Sequence, residues 1–182
     1  MKDMKLANPA PLGLLGFGLT TILLNLHNLG LIPLSMVIVG MGIAFGGFAQ
    51  IVAGIIEFRQ GNTFGGTAFT AYGSFWFSLV IIWYFPKAIN AADLTSMGFY
   101  LLLWGLFTAF MFIGTLKHSR STQVIFGSLA ILFFLLALGD FTGITIITRI
   151  AGAVGVFTGF SAFYGAMGQI INGEFNKKIF PL

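Results

Sequence analysis

The sequence has 182 residues, of which 57% are hydrophobic and only 8% are charged. Soluble domains carry roughly 25% charged residues, so this composition argues against a water-soluble fold. The net charge is +4, but the basic residues fall at the ends of apolar segments and not along one face, which argues against nucleic-acid binding. Cysteine is absent, which excludes disulfides and thiolate metal sites.

Charged residues divide the chain into long uncharged stretches, of which the first, from Lys5 to Glu57, is the longest. A membrane span needs about 20 predominantly apolar residues, so each of the four shorter stretches holds one helix and the first holds two. Residues 25–30 and Pro33 divide those two. The sequence therefore predicts an all-α membrane protein, a single domain over residues 1–182, with six transmembrane helices at 11–26, 34–56, 64–85, 97–116, 122–138 and 150–171.

The distribution of lysine and arginine predicts the orientation in the membrane. With six spans both termini share a side, and that side collects seven of the nine basic residues, with only Lys87 and Arg149 opposite. The positive-inside rule then places both termini in the cytoplasm, in a multi-pass protein of the inner membrane. The seven are Lys2, Lys5, Arg59, Lys117, Arg120, Lys177 and Lys178.

The residues that would make an enzyme or a metal centre are not grouped. His27 and His118 are the only histidines, and the predicted topology places them on opposite sides of the bilayer, which argues against a two-histidine metal site. No charged residue falls at a predicted mid-membrane position, where pumps and relays usually carry one. The sequence therefore predicts no catalytic residues, metal or cofactor.

Glycine pairs at small-xxx-small spacing, Gly42 with Gly46 and Gly155 with Gly159, predict close helix packing. Packing within one protomer is the simpler interpretation, and a contact between protomers is the alternative. Either contact predicts a densely packed helical bundle.

Residues 8–14 read Asn-Pro-Ala-Pro-Leu-Gly-Leu and are followed by Gly16-Phe17-Gly18. This segment resembles the signature of the acetate uptake transporter family, the bacterial succinate-acetate permeases and their fungal and archaeal relatives. The resemblance continues through residues 20–28, 61–65, 70–76 and 114–117 and so spans essentially the whole chain. Leu15 departs from the pattern, since the family more often carries Met or Ser there, and we expect a change of packing only.

The resemblance implies a hexamer of six-helix protomers, each with its own route for acetate and succinate. It also implies a narrow hydrophobic constriction, at positions that correspond here to Phe17, Tyr72 and Leu129, and a position associated with substrate size at Ala162. The Tyr72 ring would narrow the passage while its hydroxyl hydrogen-bonds a carboxylate. Transport could be channel-like or linked to protons, and the sequence does not choose between them.

Neutral polar residues are the candidates for contacts along the route. Helical spacing places Thr20, Thr21 and Asn28 on the same broad stripe of the first helix as Phe17. Asn8 would cap that helix at the cytoplasmic mouth, and Gln50 lies midway along the second span. Hydrogen bonds between helices are the alternative role for each of them.

The sequence is less consistent with three functions other than carboxylate transport. A membrane-bound enzyme is disfavoured because no catalytic cluster is present. A structural or sensory membrane protein, or a channel for a neutral solute such as urea or ammonia, leaves the signature segment unexplained.

Overall fold

The computed structural model describes residues 7–85 and 90–182, which form helices joined by short turns and contain no strand. Lys2, Lys5 and Lys87 lie outside this part of the chain. Six helices are long and apolar enough to cross a bilayer, which confirms the predicted number. They are α1 (Ala10–Asn28), α2 (Met36–Arg59), α3 (Thr63–Tyr84), α4 (Leu94–Lys117), α5 (Arg120–Thr142) and α6 (Thr145–Glu174).

Short polar residues fix where several helices begin. The Asn62 side chain accepts a hydrogen bond from the Gly65 amide (3.0 Å) at the start of α3, and Ser119 accepts one from Thr122 (3.3 Å) at the start of α5. These caps satisfy backbone amides that have no partner within the helix. α5 ends at Gly143, whose φ of 67° suits a residue without a side chain.

The helices extend beyond several of the predicted spans. α4 begins at Leu94 and not at residue 97, because Asp93 caps it through Ser96. α6 begins at Thr145 and not at residue 150, so it contains Arg149 in its first turns. Apolar composition predicts the part of a helix that lies in hydrocarbon, whereas the hydrogen-bonded helix continues toward the aqueous ends.

α1 lies against α6, α2 and α3, and glycines make its approach to α6 close. A Cβ added to Gly159 would lie 2.7 Å from the Gly18 carbonyl oxygen, and one added to Gly18 would lie 2.8 Å from the Gly159 carbonyl oxygen. Without side chains at both positions the backbones touch, which maximises dispersion contact between helices in lipid. Gly46 likewise accommodates Trp76 of α3, at 2.8 Å from an added Cβ. These glycines thus pack within one protomer.

The middle of α2, Gly42–Ala49, is a π-helix. Segments of this kind are rare in proteins and are frequent at functional sites. Here the segment lies beside α1 and α3 and directly precedes Gln50.

The N-terminal segment, the α2–α3 turn and the end of α6 meet at one end of the bundle. Gln60 donates a hydrogen bond to the Ala7 carbonyl (2.7 Å), and the Asn8 amide donates to Gln169 (3.1 Å). Arg149 lies at the opposite end, beside Gly30 in the α1–α2 turn. The end that carries the N-terminal segment is called the signature end below.

Candidate functional site

Three cavities follow one another between α1, α3 and α5. The largest, about 470 Å³, lies at the signature end and reaches inward to Leu14, Ala68 and Phe126. Those three residues also line the second cavity, of about 20 Å³. The third cavity, of about 30 Å³, lies further along α1, between Phe17 and Asn25. We call them the vestibule, the inner void and the outer void.

Phe17, Tyr72 and Leu129 line both voids and therefore separate them. The centroids of the Phe17 and Tyr72 rings are 6.0 Å apart, and the two rings are tilted by 45°. All three side chains are buried. The structure thus brings together, from α1, α3 and α5, the three residues predicted to form a constriction, and we call this ring the waist.

The glycines on either side of Phe17 explain its position. A Cβ on Gly16 would lie 2.5 Å from the Phe45 carbonyl oxygen of α2, and Gly18 meets Gly159 of α6. α1 is therefore wedged between α2 and α6 at this level. Phe17, the large residue between the two glycines, packs with Tyr72 and lines the voids.

The Tyr72 hydroxyl has a partner on α4. It lies 2.9 Å from the Thr108 hydroxyl, which in turn donates to the Trp104 carbonyl oxygen (2.7 Å). A carbonyl only accepts, so Thr108 gives its proton to Trp104 and accepts the proton of Tyr72. In this structure the Tyr72 hydroxyl is paired with Thr108, and the exposed lining of the inner void is apolar. Its expected hydrogen bond to a carboxylate stays a prediction.

Gln50 and Thr21 are buried polar residues on opposite sides of the waist. Gln50 lines the inner void and is 1% exposed, whereas Thr21 lines the outer void. The Gln50 side-chain oxygen and the Thr21 hydroxyl have no hydrogen-bond partner within residues 7–85 and 90–182. A buried polar atom without a partner costs about 1–3 kcal/mol, so both residues are suited to contact a polar solute.

Asn25 belongs to the outer void, although the sequence pattern did not single it out as a site residue. Its amide donates to the Thr21 carbonyl oxygen (2.9 Å) and its side-chain oxygen accepts from Asn28 (3.0 Å). Asn28, which was predicted to contact the route, therefore holds Asn25 and does not itself line the outer void. The spacing of four from Thr21 was the available signal for Asn25.

Two of the predicted site residues lie in helix interfaces. Thr20 faces α2, where its methyl group is 3.0 Å from a Cβ added to Gly46. Ala162 is buried against Gly18, at 3.2 Å from an added Cβ. Neither lines the three cavities, so any effect of Ala162 on substrate size would act through the α1–α6 contact next to Phe17.

The vestibule has polar walls near its rim. Asn8 accepts a hydrogen bond from the Ala10 amide (3.0 Å), although the N-cap position of α1 is Pro9. The Asn8 amide donates to Gln169, which lines the vestibule. Glu57 also lines it and is 3% exposed, with one oxygen accepting from the Asn62 amide (2.7 Å). The sequence placed Glu57 at a span end and gave no sign that it is buried.

Comparison with known proteins decides the family. The model of the GPR1/FUN34/yaaH family matches residues 1–180. The chain belongs to this family. One family relative, the succinate-acetate/proton symporter SatP of Escherichia coli strain K12, is 53% identical over 184 residues, covering 100% of this chain and 98% of the relative.

A more distant relative and a solved structure support the same family assignment. Acetate permease A of Emericella nidulans is 32% identical, covering 98% of this chain and 66% of the permease. A solved structure described as that of the bacterial acetate channel SatP superposes with a TM-score of 0.96 at 53% identity, covering 98% of this chain and 99% of that one. The resemblance inferred from the signature segment is confirmed, and so is the six-helix fold.

Proposed function

We propose that this protein passes acetate and succinate across a membrane, through the row of cavities in each protomer. The observation that carries the proposal is the waist: one ring of three apolar side chains separates two voids in a chain that belongs to the GPR1/FUN34/yaaH family. The relatives named as symporter, permease and channel support transport and not enzymatic catalysis.

The physical problem for such a protein is the cost of removing a carboxylate from water. Transfer of a bare carboxylate into hydrocarbon costs tens of kcal/mol on an idealised estimate. Gln50 and Thr21 lie just before and just after the waist and carry buried polar atoms without partners in the described part of the chain. We propose that each turns its polar atom toward a carboxyl group that enters the adjacent void. The waist itself is crossed by contact with apolar surface, which admits small solutes and excludes bulky ones.

We further propose that the permeating species at the waist is the neutral acid, which carries its own proton. Phe17 and Leu129 offer no polar atom, and the Tyr72 proton is held by Thr108. A relative named as a proton symporter is consistent with this linkage. Electrical measurements in vesicles test it, because uptake of the anion would follow an imposed membrane potential, whereas uptake of the neutral acid would follow the pH gradient alone.

Purified protein in lipid vesicles provides the direct test of transport. Labelled acetate should enter faster than it enters protein-free vesicles, which report leakage through the lipid, and unlabelled succinate should compete. Uptake equal to that of protein-free vesicles would contradict the proposal. Ammonia flux in the same vesicles tests the alternative of a neutral-solute channel, which the names of these three relatives do not favour.

We also propose a hexamer in the inner membrane with cytoplasmic termini. Large apolar side chains are exposed on the outer faces of the helices, including Phe110 of α4 and Phe157 of α6, and suit contact with lipid or neighbouring protomers. Native mass spectrometry in mild detergent should detect a complex of six copies. A stable monomer or dimer would argue against this assembly.

A further inference from the structure

Thr108 lies in α4, behind the waist, and is fully buried without lining any of the three cavities. Its hydroxyl is the link between the Tyr72 hydroxyl, 2.9 Å away, and the Trp104 carbonyl oxygen, 2.7 Å away. The carbonyl belongs to a helix backbone and cannot rotate. The chain of two hydrogen bonds therefore ties a ring at the waist to a fixed point on α4.

The other neighbours of the Tyr72 ring do not fix it in this way. Trp104, Phe107 and Phe126 surround it with centroid separations of 6.1, 5.5 and 6.1 Å. Aromatic contacts of this kind tolerate a range of offsets and tilts. The hydrogen bond to Thr108 is directional and weakens steeply when its angle changes.

We propose that Thr108 is a positioning residue that sets the size selectivity of the waist by holding the Tyr72 ring in place. The inference rests on the proposed transport of acetate. A solute larger than acetate must displace the ring further, and that displacement breaks the bond to Thr108. The same bond keeps the hydroxyl directed at α4, so the ring presents apolar surface to the voids.

Thr108→Val tests this role because it keeps the branched shape and removes the hydroxyl. The measurement is the ratio of initial uptake rates of acetate and butyrate in vesicles. We expect the ratio to fall roughly two- to tenfold, the equivalent of one lost hydrogen bond. Thr108→Ser retains the hydroxyl and should keep the wild-type ratio.

Tyr72→Phe removes the other partner and provides a second variant if Thr108→Val does not fold. It should lower the ratio by the same factor, and the double variant should show no further fall, because each change breaks the same bond. Thermal unfolding in detergent identifies the variants that are folded. A merely structural role for Thr108 would lower the unfolding temperature without moving the ratio.

Two outcomes would overturn the inference. One is an unchanged ratio in a folded Thr108→Val or Tyr72→Phe variant of a protein that transports acetate. The other is a double variant whose acetate-to-butyrate ratio falls by the product of the two single-variant factors. Thr108 would then act by packing and not through its hydroxyl. A wild-type protein that does not transport acetate would instead contradict the proposed function.

Discussion

The Asn25 side chain of α1 lies directly on the backbone of Gly155 in α6, where an added Cβ would overlap the amide group. Asn25 cannot easily move away, because it donates to the Thr21 carbonyl oxygen (2.9 Å) and accepts from Asn28 (3.0 Å). The glycine therefore makes room for a polar residue that lines the outer void.

Gly155→Ala should lower the stability of the protein and slow acetate uptake. The new methyl group displaces Asn25 from its two hydrogen bonds, and overpacking of this kind costs typically about 1–3 kcal/mol. Thermal unfolding in detergent and uptake into vesicles measure the two effects.

Gly40→Ala in α2 is the matched control for Gly155→Ala, since nothing lies within 4 Å of a Cβ there. It should be neutral or slightly stabilising, because alanine favours helices. Equal behaviour of the two variants would contradict the assigned contact.

Leu129→Ala should widen the range of acids that enter. The change removes apolar volume from the waist without adding charge, so longer monocarboxylates should gain relative to acetate. Truncation of a buried leucine also costs about 2–5 kcal/mol of stability, but stability alone does not alter the relative rates.

Ile131→Ala is the control for Leu129→Ala, because it removes a similar volume from the exposed surface of the same helix. Its relative uptake rates for acetate, propionate and butyrate should equal those of the wild type. If Leu129→Ala folds and also keeps the wild-type rates, the waist does not determine solute size.

Single cysteines should report the orientation, since the natural chain has none. Gly173→Cys lies at the signature end and Ala92→Cys at the opposite end, and both positions are exposed. In intact spheroplasts a membrane-impermeant maleimide should label Ala92→Cys, and should label Gly173→Cys only after the membrane is opened. The reverse pattern would place the termini outside the cytoplasm.

Asp93 should make the start of α4 sensitive to acid. Hydrogen bonds from the Ser96 hydroxyl and amide hold the pKa of the Asp93 carboxyl below its ordinary value. Its contribution to stability is therefore complete above the unfolded-state pKa of about 4 and is lost as the pH falls through the lower folded-state pKa. The unfolding temperatures of wild type and Asp93→Ala should differ at pH 7 and converge in acid. A difference in unfolding temperature that persists in acid would contradict this assignment.

The charge pattern of the sequence predicted the helices well for a physical reason. A charged side chain is costly in hydrocarbon, so residues such as Glu57 and Arg120 fall near the ends of the spans and reveal where they are. The π-helix at Gly42–Ala49 has no comparable signal, because its apolar and glycine residues suit an α-helix equally well.

The waist was predicted by resemblance, whereas its supports depend on contacts between distant parts of the chain. The bond between Tyr72 and Thr108 joins residues 36 positions apart, and no helical periodicity predicts which residue of α4 faces Tyr72. Thr20 faces Gly46 because α1 crosses α2 there, and Ala162 faces Gly18 because α1 crosses α6 there. Spacing alone placed Thr20 on the same stripe as Phe17, although it faces a neighbouring helix.

The small size of the two voids has a consequence for the energy supply of the cell. A buried water needs two to four polar partners as well as about 10–15 Å³ of space, and the inner and outer voids, at about 20 and 30 Å³, are lined almost entirely by apolar atoms. Phe17, Tyr72 and Leu129 separate the two voids, and this row of apolar side chains offers no polar group along which a file of water could conduct protons. We therefore expect vesicles that contain the purified protein to keep an imposed pH gradient as long as protein-free vesicles do when no carboxylate is present.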